Sequence, residues 1–317
     1  MNAAAYFASL DLSTLPGRLP GGVAQGIIWG LMAIGVYITF RILNLSDLTV
    51  DGSFTTGGAA AVMLILAGRP AWLAVLVATV AGVLAGLVTG LLHTRLGIPA
   101  ILAGILTQFA LYSVNLHILG GAANKAINAD KYALLLSGRH VMLAIATGAL
   151  CALLIVEALY WFFGTELGSA LRATGNNPAM SRAQGINIDA MKVIGCACAN
   201  GIVALSGALM AQYQGYADVQ MGRGAIVIGL AAVIIGEVLG EALFKKHLNF
   251  NGRLLFVIVG GVLYYIVVVI VLWFKLPTND LKLFTAAVVA LFLAVPYLRE
   301  QRKSSFRAAG KNKGGDR

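Results

Sequence analysis

The sequence predicts an all-α integral membrane protein, a polytopic bundle of about nine membrane segments that includes broken or half helices. Hydrophobic residues make up 59% of the 317 residues and charged residues only 11%, whereas a soluble domain carries about 25% charged residues. Stretches without Asp, Glu, Lys or Arg recur along the chain at the length of a membrane helix. No segment of about ten residues alternates between polar and apolar side chains, as a membrane β-strand would.

Five charge-free stretches reach the roughly 20 residues that a helix needs to cross the hydrocarbon core. They are residues 19–40, 70–93, 96–124, 193–217 and 254–274. Residues 140–163 form a sixth span if Glu157 is tolerated, and 283–298 is marginal. Residues 52–68 and 224–240 are short and glycine-rich, so we expect incomplete or broken helices there.

Glycines four residues apart predict close contacts between helices. Small residues at this spacing let membrane helices approach one another where lipid supplies no hydrophobic drive. They are Gly82, Gly86 and Gly90, the pair Gly26 and Gly30, and the pair Gly236 and Gly240.

The basic residues predict the orientation in the membrane. Seven of the 23 lie in residues 299–317, and with that tail inside, the basic loops 164–192 and 241–253 fall on the same side. We therefore predict an external N-terminal segment at 1–18, a transmembrane domain at 19–298 and a basic cytoplasmic tail at 299–317. The N-terminus is then outside and the C-terminus cytoplasmic.

A polar break directly follows the first span. Irregular backbone near membrane depth is tolerated only where protein or a water-filled path satisfies it, and short, glycine-interrupted segments in both halves are typical of a substrate pathway. The alternative is an ordinary loop between two helices. Asp51 and Ser53 are natural N-cap residues for the short helix that follows. The residues predicted to line a pathway are Asn44, Ser46, Asp47, Asp51, Thr55 and Thr56, with Gln108, Asn115 and Asn200 as weaker candidates.

The polar loop 164–192 encodes two short helices. Thr165 can cap the first, which stops at Gly175, and Asn177 can cap the second. Pro178 stands at the first position of the second helix and Gly185 just past its end, which is the asymmetry of a bounded helix. A helix this short is not stable alone in water. It either docks on a cytoplasmic partner or lies on the membrane surface.

No catalytic or metal-binding constellation can be assembled from the sequence, so we do not predict an enzyme. There is no G-x-x-x-x-G-K-[ST] phosphate loop and no H-E-x-x-H or C-x-x-C motif. Cys151, Cys196 and Cys198 lie in apolar stretches and are interpreted as packing residues. Glu157 lies well inside a span, and we expect it to pair with a backbone group or a neighbouring helix rather than to serve a pathway.

The loop and the helices after it resemble a known family. Residues 167–189 read Leu-Gly-x-Ala-Leu-Arg-Ala-x-x-x-Asn-x-x-Met-x-x-x-x-Gly-Ile-Asn-x-Asp, and residues 204–209 and 229–236 read Ala-Leu-Ser-Gly-Ala-Leu and Gly-Leu-Ala-Ala-Val-Ile-Ile-Gly. Over roughly residues 21–296 the chain resembles the permease subunit of ABC importers in the branched-chain amino acid and ribose class. It is most similar to permeases encoded beside a binding lipoprotein and a single ATPase, which are associated by name with aromatic amino acids.

The resemblance implies partners and residue roles. It implies that a coupling helix within 167–189 fits an ATPase, and that the ATPase, not this chain, binds ATP and Mg. It also implies an extracytoplasmic substrate-binding protein, a permease homodimer and a bacterial plasma (inner) membrane location. The basic tail itself is interpreted as touching anionic membrane lipid. It is not interpreted as a nucleic-acid site, because Phe306 is its one interleaved aromatic residue. The coupling role carries over to Arg172, Asn177, Pro178, Met180, Arg182, Gly185 and Asn187.

The polar break departs from the family pattern. Branched-chain permeases carry Asn-Phe-Ala-His-Gly-Asp/Glu, where residues 44–49 here read Asn-Leu-Ser-Asp-Leu-Thr. We therefore predict an importer permease for a small organic solute, an amino acid, without assigning a branched-chain substrate. The alternative is an ion-coupled secondary transporter without an ATPase, whose coupling would rest on Asp47, Asp51, Glu157 or Glu237.

Overall fold

The computed structural model describes residues 15–244 and 249–274, with isolated helical positions at 283, 286, 287, 290 and 294. The N-terminal segment up to residue 14 and the tail 299–317 lie outside the described residues, as does most of the marginal span 283–298. The helices, in chain order, are α1 (Leu15–Tyr37), α2 (Val50–Leu66), α3 (Ala71–Arg95), α4 (Ala100–Ile118), α5 (Val141–Gly164), α6 (Glu166–Asn176), α7 (Pro178–Ala183), α8 (Ile188–Gln214), α9 (Ala225–Phe244) and α10 (Phe250–Trp273).

The predicted polytopic all-α bundle is confirmed. Within the part of the chain that the structure describes, seven helices are long and apolar enough to cross a membrane, and α2 is a shorter apolar helix. With the helical positions between 283 and 294, this matches the expected nine segments closely. The end of α1 continues as one π-helical turn, Ile38–Ile42, before the polar break.

The prediction of a half helix at 224–240 is wrong, because the helix found there is long enough to cross a membrane. The short stretch 224–240 is the main part of α9, which has 20 residues and ends at Phe244. Glu237 lies within this helix, and its carboxylate accepts a hydrogen bond from the guanidinium of Arg41 at 2.7 Å. The short apolar helix expected at 52–68 is present as α2.

Helices α1, α2 and α8 form the interior of the bundle. Over the most apolar 18 residues of each span, 83% of the residues are buried in α1 with its π-helical turn and 72% in α8. The corresponding share is only 22% in α4 and in α5. Helix α8 packs against α3, α2 and α1, and α1 also packs against α10, α9 and α5. The outer faces of α3, α4 and α5 carry exposed side chains such as Leu84, Phe109 and Leu154, as lipid-facing surfaces do.

The predicted glycine contacts explain how closely these helices pack. A Cβ atom placed on Gly86 would lie 2.2 Å from the carbonyl oxygen of Cys196, so α3 lies directly on the backbone of α8. A Cβ atom on Gly26 would lie 2.5 Å from the Cα atom of Val262 on α10. The other glycines in contact with a neighbouring helix include Gly30, Gly82, Gly90 and Gly236.

A small sheet that was not predicted lies at one end of the bundle. Strands β1 (Asn124–Ala126) and β2 (Tyr216–Asp218) pair antiparallel, with Lys125 opposite Ala217. They join the connection between α4 and α5 to the connection between α8 and α9. Three-residue strands leave no pattern that a scan for spanning strands would detect.

Candidate functional site

The polar break after α1 enters the bundle, so α2 begins inside it. The carboxylate of Asp47 accepts hydrogen bonds from the side-chain amide of Asn200 at 2.7 Å and from the backbone N–H of Thr49 at 2.9 Å. Asn200 lies about 18 Å along α8 from its first residue, Ile188. The irregular backbone therefore lies at membrane depth with protein partners, as its hydrogen-bonding groups require.

A buried polar network fixes the start of α2 to its neighbours. Asn200 is 0% exposed, and its side-chain oxygen accepts a hydrogen bond from the hydroxyl of Ser53 at 2.7 Å. The hydroxyls of Thr49 and Thr89 are 2.7 Å apart, and Thr89 donates to Thr107 at 2.9 Å. These contacts tie α2 to α8, α3 and α4. The hydroxyl of Thr56 donates within α2 to the Gly52 carbonyl.

The predicted helix caps at Asp51 and Ser53 are wrong for α2. Its N-cap is Thr49, whose side chain makes no capping bond. Asp51 instead caps α9, because its two carboxylate oxygens accept hydrogen bonds from the backbone N–H groups of Gly224 at 2.8 Å and Ile226 at 3.0 Å. Asp51 lies in the first turn of α2, where its side chain reaches the neighbouring helix end.

A cavity of about 390 Å³ lies beside this junction. Four residues predicted for the pathway, Asp51, Thr55, Gln108 and Asn115, line it. Asn115 is 1% exposed, and its side-chain N–H₂ is 3.5 Å from the Gly52 carbonyl. Its side-chain oxygen has no hydrogen-bond partner. The cavity wall therefore carries a carboxylate, a hydroxyl and two side-chain amides, and the Asn115 oxygen is buried there without a partner.

The other predicted pathway residues lie elsewhere. Asp47, Asn200 and Thr56 are buried in the contacts described above. Asn44 lines a separate cavity at the α6 end of the bundle, and Ser46 is exposed. Asp47, Thr49 and Ser53 therefore bond within the bundle, whereas Asp51 and Thr55 lie at the cavity wall.

Sequence reasoning missed other residues of the cavity. They are Gly52, Phe109, Tyr112, Val219, Gln220 and Arg223. The spacing of Gln108, Tyr112 and Asn115 on one face of α4 could have identified Tyr112. Gln220 and Arg223 leave no such signal, because the backbone that brings them to α2 is irregular.

The loop between α5 and α8 folds as its caps predict. The hydroxyl of Thr165 accepts a hydrogen bond from the Gly168 N–H at 3.3 Å, and the side-chain oxygen of Asn177 accepts one from the Met180 N–H at 3.0 Å. Pro178 is the first residue of α7, and Gly185 has φ 81° just past its end. Helices α6 and α7 are therefore two separately capped segments.

Some of the predicted coupling residues are exposed on α7, and others hold the short helices in position. Met180 is 61% exposed and Arg182 is exposed beside it on α7. Arg172 donates to the Phe163 carbonyl at 2.8 Å, which holds α6 against the end of α5. The side chain of Asn187 caps α8 through the N–H of Ala190 at 3.1 Å. An apolar side chain beside a cation on a short polar helix is typical of a protein contact.

The remaining candidate acid has a partner. The carboxylate of Glu157 accepts a hydrogen bond from the side chain of Asn251 on α10 at 2.9 Å, so the predicted pairing with a neighbouring helix is confirmed. In the ranges 15–244 and 249–274, no three His, Cys, Asp or Glu side chains come close enough together to hold a metal ion.

Helices that begin inside the bundle beside a polar cavity, with short capped helices at one end, define a polytopic membrane transport subunit. The chain belongs to the family described as "Branched-chain amino acid transport system / permease component", which matches residues 19–296. It is thus an ABC-type permease of the branched-chain and ribose class. Members of this family are permease components of transport systems rather than enzymes, which implies ATPase and binding-protein partners.

Individual relatives cover most of the chain. It is 38% identical over 285 residues to the "Tyrosine transport system permease protein" of Clostridioides difficile (strain R20291), covering 89% of this chain and 92% of the relative. It is 30% identical over 272 residues to "Uncharacterized protein RP368" of Rickettsia prowazekii (strain Madrid E), covering 85% and 94%.

A third relative matches a shorter part. The "Autoinducer 2 import system permease protein LsrC" of Yersinia pseudotuberculosis serotype O:1b (strain IP 31758) is 30% identical over 210 residues, which is 66% of this chain and 58% of the relative. No solved structure matches the chain significantly.

Proposed function

We propose that this permease imports a small organic solute, an amino acid, which an external binding protein delivers and ATP hydrolysis in a partner subunit drives inward. The observation that carries the proposal is the cavity lined by Asp51, Thr55, Gln108 and Asn115, beside the junction of α2 with the first turn of α9. A short helix that begins at membrane depth, as α2 does, is typical of substrate sites in transporters. The name of the tyrosine transport relative supports an amino acid.

The polar and aromatic lining suits such a solute. Asp51 and the side-chain oxygen of Gln108 offer acceptors, Arg223 offers a cation, and Phe109 and Tyr112 offer ring faces. An α-amino acid carries an ammonium and a carboxylate group, which need an acceptor and a donor respectively. A pair of permease copies would complete the pathway around this cavity.

ATP would act through the short helices at the other end. In this proposal, an ATPase that holds ATP and Mg docks on α7 at Met180 and Arg182, and its closure moves α6, α7 and the start of α8. Asn200 on α8 holds Asp47 at 2.7 Å, just ahead of α2. Two arrangements of this chain of contacts would then alternate, each stabilised by a different nucleotide state of the ATPase.

The α6 end of the bundle is proposed to face the cytoplasm. Arg41 and Arg172 line one cavity there, and Arg95 lines another beside the start of α8. Basic residues accumulate on the cytoplasmic side of membrane proteins. In this proposal the N-terminus is outside and the C-terminus is cytoplasmic, in a bacterial inner membrane.

Three of the four carboxylates that ion coupling would need are paired with side chains. Asp47 and Glu157 each accept a hydrogen bond from an asparagine side chain, and Glu237 pairs with Arg41. The fourth, Asp51, accepts two backbone N–H bonds and keeps further lone pairs for the solute at the cavity wall. This favours the ATP-driven function over the gradient-driven one.

The test is reconstitution of the chain with the ATPase encoded next to it. The wild type and the double variant Met180→Asp, Arg182→Asp would be compared for ATPase co-purification and ATP hydrolysis. We expect the wild type to co-purify with the ATPase and to support ATP hydrolysis, and the variant to lose both properties. Two new carboxylates would repel a partner surface that is adapted to an apolar side chain and a cation. The variant Asn128→Asp, Lys131→Asp, with exposed changes near the opposite end, should retain co-purification. Failure of any ATPase to associate with the wild type would contradict the proposal.

A further inference from the structure

A second, larger cavity of about 600 Å³ lies at the α6 end of the bundle. Its walls come from three elements: the end of α1 with its π-helical turn, helix α6, and the first turn of α10. Three arginines reach it, one from each wall: Arg41, Arg172 and Arg253. Among the residues that the structure describes, no Asp or Glu lines it.

Two of these arginines have no carboxylate partner. In the described ranges, the only ion pairs within 4.0 Å are Arg41–Glu237 and Arg139–Asp130. Arg172 donates to a carbonyl and lies 5.9 Å over the ring of Phe250, so its positive charge is not neutralised. Arg41 and Arg253 also line an adjacent cavity together with Glu237 and Glu241. Because Arg41 is paired with Glu237, the unpaired positive charge at the larger cavity comes from Arg172 and Arg253.

Neutral donors complete the lining. The side chains of Asn44 and Asn176 reach the cavity, and Asn44 has the left-handed backbone conformation, with φ 55°. Phe250 begins α10 at the cavity wall, and the N-cap residue Asn249 makes no side-chain capping bond. The first amides of α10 are therefore not capped by that side chain, and a helix N-terminus favours an anion.

We propose that this cavity binds a phosphate group. Guanidinium groups bind phosphate oxygens through paired, charge-assisted hydrogen bonds, and here they converge from three separate elements. The bound anion would join the end of α1 to α6 and α10. Helix α6 is already close to α1 at this point, because a Cβ atom on Gly175 would lie 1.7 Å from the Ile42 carbonyl oxygen. The ligand would thus stabilise the seating of α6 on the bundle.

Two sources offer this chemistry at a membrane surface, namely an anionic phospholipid headgroup and inorganic phosphate. The experiment uses the purified full-length chain in neutral detergent. Native mass spectrometry would count bound phosphatidylglycerol, with phosphatidylcholine as the reference lipid. The thermal midpoint would be followed during titration with inorganic phosphate, with chloride at matched ionic strength. The variants are Arg253→Gln, Arg253→Lys and the control Arg69→Gln, at an exposed arginine between α2 and α3.

We expect the wild type to bind phosphatidylglycerol over phosphatidylcholine, or to be stabilised by inorganic phosphate, and the arm that responds identifies the source. Arg253→Gln should weaken that binding by about tenfold, the loss of one charge-assisted contact. Arg253→Lys should lose less affinity for the ligand than Arg253→Gln, and Arg69→Gln should bind the ligand as tightly as the wild type does. Unfolding midpoints without ligand show whether each variant is folded.

Three results would overturn the proposal. One is the absence of binding in both arms. Another is a loss of affinity in Arg69→Gln as large as that in Arg253→Gln, which would indicate general charge attraction. The third is unchanged affinity in Arg253→Gln, which would show that the ligand binds outside this cavity.

Discussion

Asp51 on α2 and Gly224, directly before α9, are joined by a 2.8 Å hydrogen bond from the Gly224 N–H to the Asp51 carboxylate. The same carboxylate accepts a second bond from the N–H of Ile226. One side chain from the first half of the chain thus caps a helix in the second half, with its negative charge at the positive end of the helix dipole. Any relative movement of α2 and α9 must break this cap or carry it along.

Replacing Asp51 by alanine should destabilise the protein. Two amides at the start of α9 lose their acceptor, and we expect the free energy of unfolding to fall by about 2 kcal/mol. The measurement is unfolding of the purified protein by SDS in mixed micelles. Asp130→Ala, a change at an exposed ion pair, is the control and should differ by less than about 1 kcal/mol. Equal stability of Asp51→Ala and wild type would show that water caps α9 equally well.

The contact between Asp47 and Asn200 should be strongly coupled. Asn200→Leu leaves the Asp47 carboxylate, which is 3% exposed, without its side-chain partner. We expect a loss of about 3 kcal/mol. The double variant Asp47→Leu, Asn200→Leu should lose less than the sum of the single variants, because no buried charge remains. Strict additivity in this cycle would mean that the two side chains do not interact.

Close packing of α3 on α8 should depend on Gly86. Gly86→Ala places a methyl group 2.2 Å from the Cys196 carbonyl oxygen, and overpacking of this kind costs about 1–3 kcal/mol. Gly164→Ala is the matched control, since a Cβ atom there meets nothing within 4 Å. Thermal unfolding should separate the two variants clearly. Similar midpoints for both would show that α3 moves aside without cost.

The cap of α7 should matter for coupling to the ATPase. Asn177→Ala removes the acceptor for the Met180 N–H, and loss of an N-cap costs about 1 kcal/mol. A six-residue helix has little other stability, so ATP hydrolysis by the reconstituted complex should fall several-fold. Asn177→Asp keeps an acceptor and should retain the activity. An Asn177→Asp variant as inactive as Asn177→Ala would instead implicate the amide itself in docking.

Removing the side-chain amide of Asn115 from the wall of the 390 Å³ cavity should reduce uptake of the solute. Asn115→Leu keeps the branched shape of the side chain and replaces its oxygen and nitrogen by methyl groups beside Gly52. We expect uptake of labelled amino acid into proteoliposomes to fall at least about tenfold, since a lost polar contact costs about 1–3 kcal/mol. Ser113→Leu introduces the same apolar residue at an exposed position of α4 and should leave uptake unchanged. Normal uptake by Asn115→Leu would place the pathway elsewhere.

Local rules predicted the features that depend on neighbours along the chain. The caps at Thr165 and Asn177 are side chains that bond within three residues, and both are present. The predicted stop at Gly185 is also present, as a glycine with positive φ. The same rules failed at Asp51, which satisfies every local criterion for an N-cap of α2 and caps α9 instead. Sequence separation explains the failure, since its partners lie more than 170 residues away.

The amino-acid sequence is sufficient to identify a helical membrane bundle with two capped helices in one polar loop. Charge is costly in lipid, so charge-free stretches mark most of the spans, and caps act over a single turn. Which polar residues of the break line a cavity and which hold the bundle together depends on the tertiary structure. Asp47 and Asp51 look alike in sequence, yet Asp47 meets a side chain deep in α8 and Asp51 meets a helix end at the cavity wall. That difference depends on how α2, α8 and α9 pack.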